Sequence, residues 1–188
     1  QRSDFSKTNL GDANLTRARF DSSDFTNSDM KSSVLTQTGL YRANMTGADV
    51  SYSEFDRTNI REVNLTGANL TGSVFTNVNS MHVKFDGADL TGIVLLQSGF
   101  DRTTFKDADL TGVNLSGNNL SGSQFVGAKQ TDWTLWPSSI SPSSLEVEQR
   151  EMRNPDLICD LTSINDCSGA DLNHTDMTLR KLQNARLI

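Results

Sequence analysis

Every fifth residue from Phe5 to Phe125 is large and apolar, and the series never slips out of phase. It begins Phe5, Leu10, Leu15, Phe20, Phe25, Met30 and closes Leu110, Leu115, Leu120, Phe125, with Ser80 the one polar member of 25 positions. In a chain that is 35% hydrophobic overall, this spacing marks an internal repeat. Two residues before each member stands Ala, Ser, Thr or Val, at every position except Ile93 and Asn118. A helix would scatter these side chains around its axis, and a continuous strand would send successive members to opposite faces. A chain that turns a corner at each quintet avoids both problems. Each quintet forms one short side with its large residue inward, and four sides close a coil of about twenty residues. The small residue also points inward near the corner, where a bulky group would collide.

The quintets repeat one theme: Ala13-Asn14-Leu15, Ala48-Asp49-Val50, Ala68-Asn69-Leu70, Ala88-Asp89-Leu90 and Ala108-Asp109-Leu110. This resembles the pentapeptide-repeat proteins over about two thirds of the chain. The resemblance implies an all-β fold, a right-handed quadrilateral β-helix, and leaves function open.

Grouping residues by coil stacks like on like. One side carries Phe5, Phe25, Met45, Leu65, Phe85, Phe105 and Phe125; another carries Leu15, Leu35, Phe55, Phe75, Leu95 and Leu115. At the strand spacing of about 4.8 Å, the repeats make about six coils and a rod roughly 30 Å long. The entropy cost of ordering so much backbone requires a nearly complete ladder of hydrogen bonds between coils.

The expected organisation is a repeat body over 1–127, an irregular cap over 128–166 and an out-of-phase partial coil over 167–188. Trp133 and Trp136 are expected to plug the open end of the apolar channel. Ser143 and Glu146 form a capping box, which predicts a short C-terminal α-helix near 144–153, closed by Asn154-Pro155. The five-residue rhythm returns at Cys167, Leu172, Met177, Leu182 and Leu187. The chain opens on Gln1 and enters the repeat within three residues, which reads as a processed or truncated start.

Two outward columns are candidate contact sites. Asn14, Val34, Glu54, Val74, Val94 and Asn114 share a column with Leu96 beside it, and its outward valines suggest a protein-contact face, although β-branched residues suit any strand. Asp29, Asp49, Asp89 and Asp109 form an acidic column with Asn9 and Asn69, readable as a strip for a basic partner or as ordinary solvated repeat chemistry. Arg42, Glu62, His82 and Arg102 align as a surface charge ladder. Ser80 reads as an internal polar site or as a tolerated defect with Met81 filling space. Cys159 and Cys167 read as a small disulfide clip in an oxidising compartment, or otherwise as two free thiols.

The chemistry available is sparse. His82 and His174 are the only histidines, and neither sits in a hydrolase, nucleotide-binding or metal-binding motif. Neither catalysis, a cofactor, a metal nor a small-molecule substrate is indicated. Net charge is −6, and no apolar run reaches membrane-spanning length. The repeat body holds 11 basic and 14 acidic residues, which argues against a basic nucleic-acid-binding surface. The expectation is a non-catalytic scaffold that binds an unidentified protein. The family resemblance adds two implications. The layout is similar to that of lumenal and cyanobacterial members with a helical, cysteine-containing cap, which implies a thylakoid-lumen or periplasmic home, with the cytoplasm as the alternative. The gyrase-protecting members supply a second functional reading, a DNA mimic, but one that needs a more continuous acidic track than this body offers.

Overall fold

A computed structural model describes residues 2–142 and 145–149, all within one compact unit over Gln1–Gln149. The chain winds into stacked coils of twenty residues. Parallel bridges join each residue before a central apolar position to its equivalent one coil on, as in Asp4↔Asp24↔Asn44↔Asn64↔Lys84↔Thr104↔Gln124. Four such columns run along the unit, one per side. Regular strand forms on one side, where β1 (Glu54–Asp56), β2 (Val74–Thr76) and β3 (Val94–Leu96) pair in parallel with Phe55 opposite Phe75 and Phe75 opposite Leu95.

Most corners are turns closed by a short backbone bond, such as Ala13 N–H to Leu10 O at 3.1 Å. The second turn residue lies in the left-handed region at every described corner up to Gly127, with φ from 50° to 75°. Glycine suits this conformation, but the protein also places Lys7, Arg57, His82 and other L-residues there. The Asp or Asn before a central residue secures the next corner: Asp24 Oδ1 accepts from Thr26 N–H at 2.9 Å and from Thr26 Oγ1 at 2.6 Å. Asn44 and Asn64 do the same, and their Nδ2 groups donate to Thr26 and Thr46 of the preceding coil at 2.8 and 3.0 Å. The Asn-x-Thr triplets are therefore corner chemistry.

The core follows the five-residue series. From Phe25 to Phe125 the central side chains are buried, and the rings stack coil upon coil: Phe55 on Phe75 at 4.3 Å, Phe105 on Phe125 at 4.9 Å, both nearly parallel. The small inward position does more than avoid a collision. Thr38, Ser53, Thr58 and Ser73 each donate a hydroxyl to the carbonyl 23 residues earlier, at 2.6–2.8 Å. These bonds lace each coil to the one before it and satisfy a buried hydroxyl at once.

Past Phe125 the ladder continues with altered spacing. Asn114 pairs with Leu135, and β4 (Lys129–Gln130) pairs with β5 (Glu148–Gln149). This corrects the helix expected near 144–153. Leu145 and Glu146 lie in a turn and Glu148–Gln149 is extended, while the rest of that span is outside the described residues. The reason is competition for backbone partners. Gly127 N–H donates to Glu146 O at 2.7 Å, and Glu148 N–H donates to Ala128 O at 2.8 Å. A helix over these residues, with only Leu145, Val147 and Met152 as its apolar side, would leave that ladder edge unpaired.

Candidate interaction face

β1, β2 and β3 position the candidate contact residues. Outward residues of one strand lie directly over those of the next, so the register Val34↔Glu54, Glu54↔Val74, Val74↔Val94 sets the order of the column. Val74 and Val94 are adjacent and half-buried, and Leu96 on β3 is 48% exposed. Glu54 separates Val34 from this group. The result is a small aliphatic patch of Val74, Val94 and Leu96 on the side that carries β1, β2 and β3. One neighbour was not singled out from the sequence. Tyr52, 52% exposed, occupies the corner before β1, and its ring covers Gly72 one coil on, with Lys31 Nζ 5.7 Å from the ring centre. An aromatic at a corner otherwise built from Asp, Ser and Gly was the available signal.

The acidic column lies on the preceding side. Asp29 pairs with Asp49 and Asp89 with Asp109, Asn69 stands between the pairs, and Lys129 follows Asp109. One oxygen of each carboxylate is committed to its own corner: Lys31 N–H to Asp29 at 3.1 Å, Ser51 N–H to Asp49 at 3.0 Å, Thr91 N–H to Asp89 at 2.9 Å and Thr111 N–H to Asp109 at 3.0 Å. Local turn chemistry thus explains the column, and the amide and the lysine interrupt its charge. In the column that runs from Asp4 to Gln124, hydrogen bonds from Thr26 hold the Asp24 carboxyl below its ordinary range, and bonds from Ser6 do the same for Asp4.

Arg42 Nε and Glu62 Oε2 meet at 2.7 Å on another corner, and this contact holds Glu62 below the usual carboxylate range. Both groups are solvent-accessible, so the pair adds little stability. Ser80 is buried and its Oγ donates to Gly99 O. Trp136 packs edge-on against Phe125 at 4.9 Å and donates Nε1–H to Gln130 at 2.8 Å, whereas Trp133 is 37% exposed. Cys159 and Cys167 lie outside the described residues. Among the described residues, no group of His, Cys, Asp and Glu could hold a metal ion, and no helix is long and apolar enough to cross a membrane.

The family model for pentapeptide repeats matches eight copies, over residues 1–37, 40–77, 81–117 and 98–129. The chain belongs to the pentapeptide-repeat family, and the coil is that family's right-handed β-helix. Among solved structures it is similar to a pentapeptide-repeat protein from the Arabidopsis thaliana thylakoid lumen, at 22% identity over 69% of this chain and 66% of that one, with a TM-score of 0.38. It is also similar to a trypsin-treated form of QnrB1, a plasmid-mediated fluoroquinolone resistance protein, at 14% identity over 80% and 91% of the two chains, with a TM-score of 0.49. A pentapeptide-repeat protein from Nostoc matches at 24% identity over 79% and 86%, with a TM-score of 0.36. No curated protein matches the chain.

Proposed function

We propose that this protein is a non-catalytic scaffold that binds another protein through the aliphatic patch on its β1–β3 side. The observation that carries the reading is the exposure of Leu96, at 48%, beside Val74 and Val94 on the side where β1, β2 and β3 pair. Val74 stands on a backbone paired on both edges, while Val94 and Leu96 lie on β3, which among the described residues pairs with β2 alone. The patch is small, so it fits the centre of a modest interface whose rim comes from Glu54, Tyr52 and neighbouring polar corners. The reading includes a thylakoid-lumen or periplasmic home, the compartment named for one solved structure that the chain resembles.

The test is a pull-down from lumenal or periplasmic extract with the unmodified chain and with Val74→Asp, Val94→Asp and Leu96→Asp combined. Specific partners should be lost in the triple variant while its circular dichroism stays unchanged; retention of every partner removes this side as the contact surface. A DNA-gyrase supercoiling assay with a quinolone forms the second arm. No protection is expected, because the acidic column is broken by Asn69 and Lys129. Protection at near-stoichiometric protein would replace the scaffold reading with the DNA-mimic one.

A further inference from the structure

Among the described residues, one side of the unit loses a bridge between successive coils, whereas the Asn79–Gly99 side keeps its bridge but lacks the bonds from Ser80 N–H to Gly99 O and from Gly99 N–H to Val78 O. From Val34 through β1 and β2 to β3 the parallel pairing is continuous, and Asn114 pairs onward with Leu135. No pairing joins Val94 to Asn114. The bonds that the repeat makes elsewhere, here from Leu95 and Gln97 to the residues above them and from Asn114 to Ile93 below, are absent among the described residues. Equivalent bonds exist one coil earlier and one coil later: Asn77 N–H to Leu96 O at 2.9 Å, and Leu115 N–H to Leu135 O at 2.7 Å. The other sides of the same two coils are closed, with Phe85 bonded to Thr104 at 2.8 Å, Leu90 to Asp109 at 3.0 Å and Phe100 to Asn119 at 2.7 Å.

The cause is readable at the corner before the gap. The inward small position there runs Ala13, Ser33, Ser53, Ser73, Ile93, Val113. Ser53 and Ser73 lace their coils to Met30 O and Val50 O, each at 2.8 Å, and Thr134 resumes the lacing to Leu110 O at 2.8 Å. Ile93 and Val113 have no hydroxyl to donate, and Ile93 is bulkier than the Val at other small positions, which coexists with intact rungs at Val63 and Val83. The stacked pair Val63 and Val83 keeps its rungs without lacing, so the distinguishing group at this corner is Ile93, with one methylene more than valine. Behind the gap lies the apolar interior between these coils, where Ile93, Leu95, Val113 and Leu115 meet Phe85 and Phe105 from the other sides, with space too tight for a water molecule. Leu95 is 7% exposed, where Phe55 and Phe75 at the same position are fully covered.

We propose that this seam is a built-in opening of the solenoid: residues 92–97 and 111–116 part from one another reversibly, with the three closed sides as the hinge. The opening admits solvent to Leu95 and Leu115, beside the exposed Leu96 and backbone groups that lack a partner across the seam. It does not depend on the patch being a contact surface.

Hydrogen–deuterium exchange by mass spectrometry on the full chain tests it. Peptides over 91–98 and 112–118 should exchange at least about tenfold faster than the equivalent peptide over 71–78. The substitution Ile93→Ser, which brings a hydroxyl within the lacing pattern and removes the wedge, should slow exchange over 92–97 by about the same factor. Protection in the unmodified chain equal to that of 71–78 overturns the proposal, as does unchanged seam exchange in folded Ile93→Ser. If that variant does not fold, Val113→Ser is read in the same way, and the unmodified-chain comparison stands by itself.

Discussion

At the scale of the residue, the repeat asks one position in five for a left-handed backbone. His82 adopts it at φ 57° on an exposed corner, where Gly47, Gly67 and Gly87 adopt it at other corners at 65°. An L-residue there costs about 1–2 kcal/mol, and glycine gives back about 0.5–1 kcal/mol through its freer unfolded chain. His82→Gly should therefore stabilise by about 0.5–1 kcal/mol and raise the melting temperature by a few degrees, read by differential scanning calorimetry. A fall in melting temperature would mean that the imidazole makes contacts that outweigh the strain. Gly72 is the opposite case, since a Cβ there would meet the Tyr52 ring at 2.8 Å. The large inward residues were legible because burial filters strongly for size and polarity. The corner residues were not, because Lys7, Arg57 and His82 carry no sequence mark of positive φ.

At the scale of the element, the coils are held by two sets of bonds, only one of which the sequence announced. The backbone ladder follows from any stacked coil. The lacing by Ser and Thr does not, because a small residue near a corner is explained equally well by lack of room. Thr58 separates the two: it is fully buried and donates to Leu35 O at 2.6 Å. Thr58→Val keeps the shape and removes the donor, so it should cost about 1–2 kcal/mol in urea denaturation, with the slope of the transition unchanged. A neutral result would reduce the small position to a purely steric role. The C-terminal element shows where local signals mislead. Ser143 and Glu146 spell a helix start, but an open ladder edge at Gly127–Gln130 offers Glu146 and Glu148 better partners. Nothing within five residues of Ser143 reveals that edge, since it is built by residues a coil earlier. Ile93 stood out in the sequence as an exception, but its consequence for the ladder needed the stacked neighbour Val113 to be seen. Likewise the valine column and its interruption by Glu54 were visible in the twenty-residue period, while the exposure of Leu96 and the ring of Tyr52 over Gly72 were not.

At the scale of the whole unit, each coil touches only the coil before and the coil after, so energetic effects should travel no further than that. Phe55 and Phe75 stack at 4.3 Å and are fully buried, whereas Phe25 and Phe105 lie four coils apart on one column. Each Phe→Ala change should cost about 3–5 kcal/mol. For the distant pair, the double variant should lose the sum of the single losses to within about 0.5 kcal/mol. For the stacked pair, the second removal deletes a contact already gone, so the double variant should lose less than the sum by about 0.5–3 kcal/mol. Urea denaturation of the four single and two double variants, followed by far-ultraviolet circular dichroism, measures both cycles. Additive losses at Phe55 and Phe75 would mean that ring stacking contributes nothing beyond burial. A large coupling between Phe25 and Phe105 would mean that the solenoid transmits strain along its whole length, and the independence of neighbouring coils would fail with it.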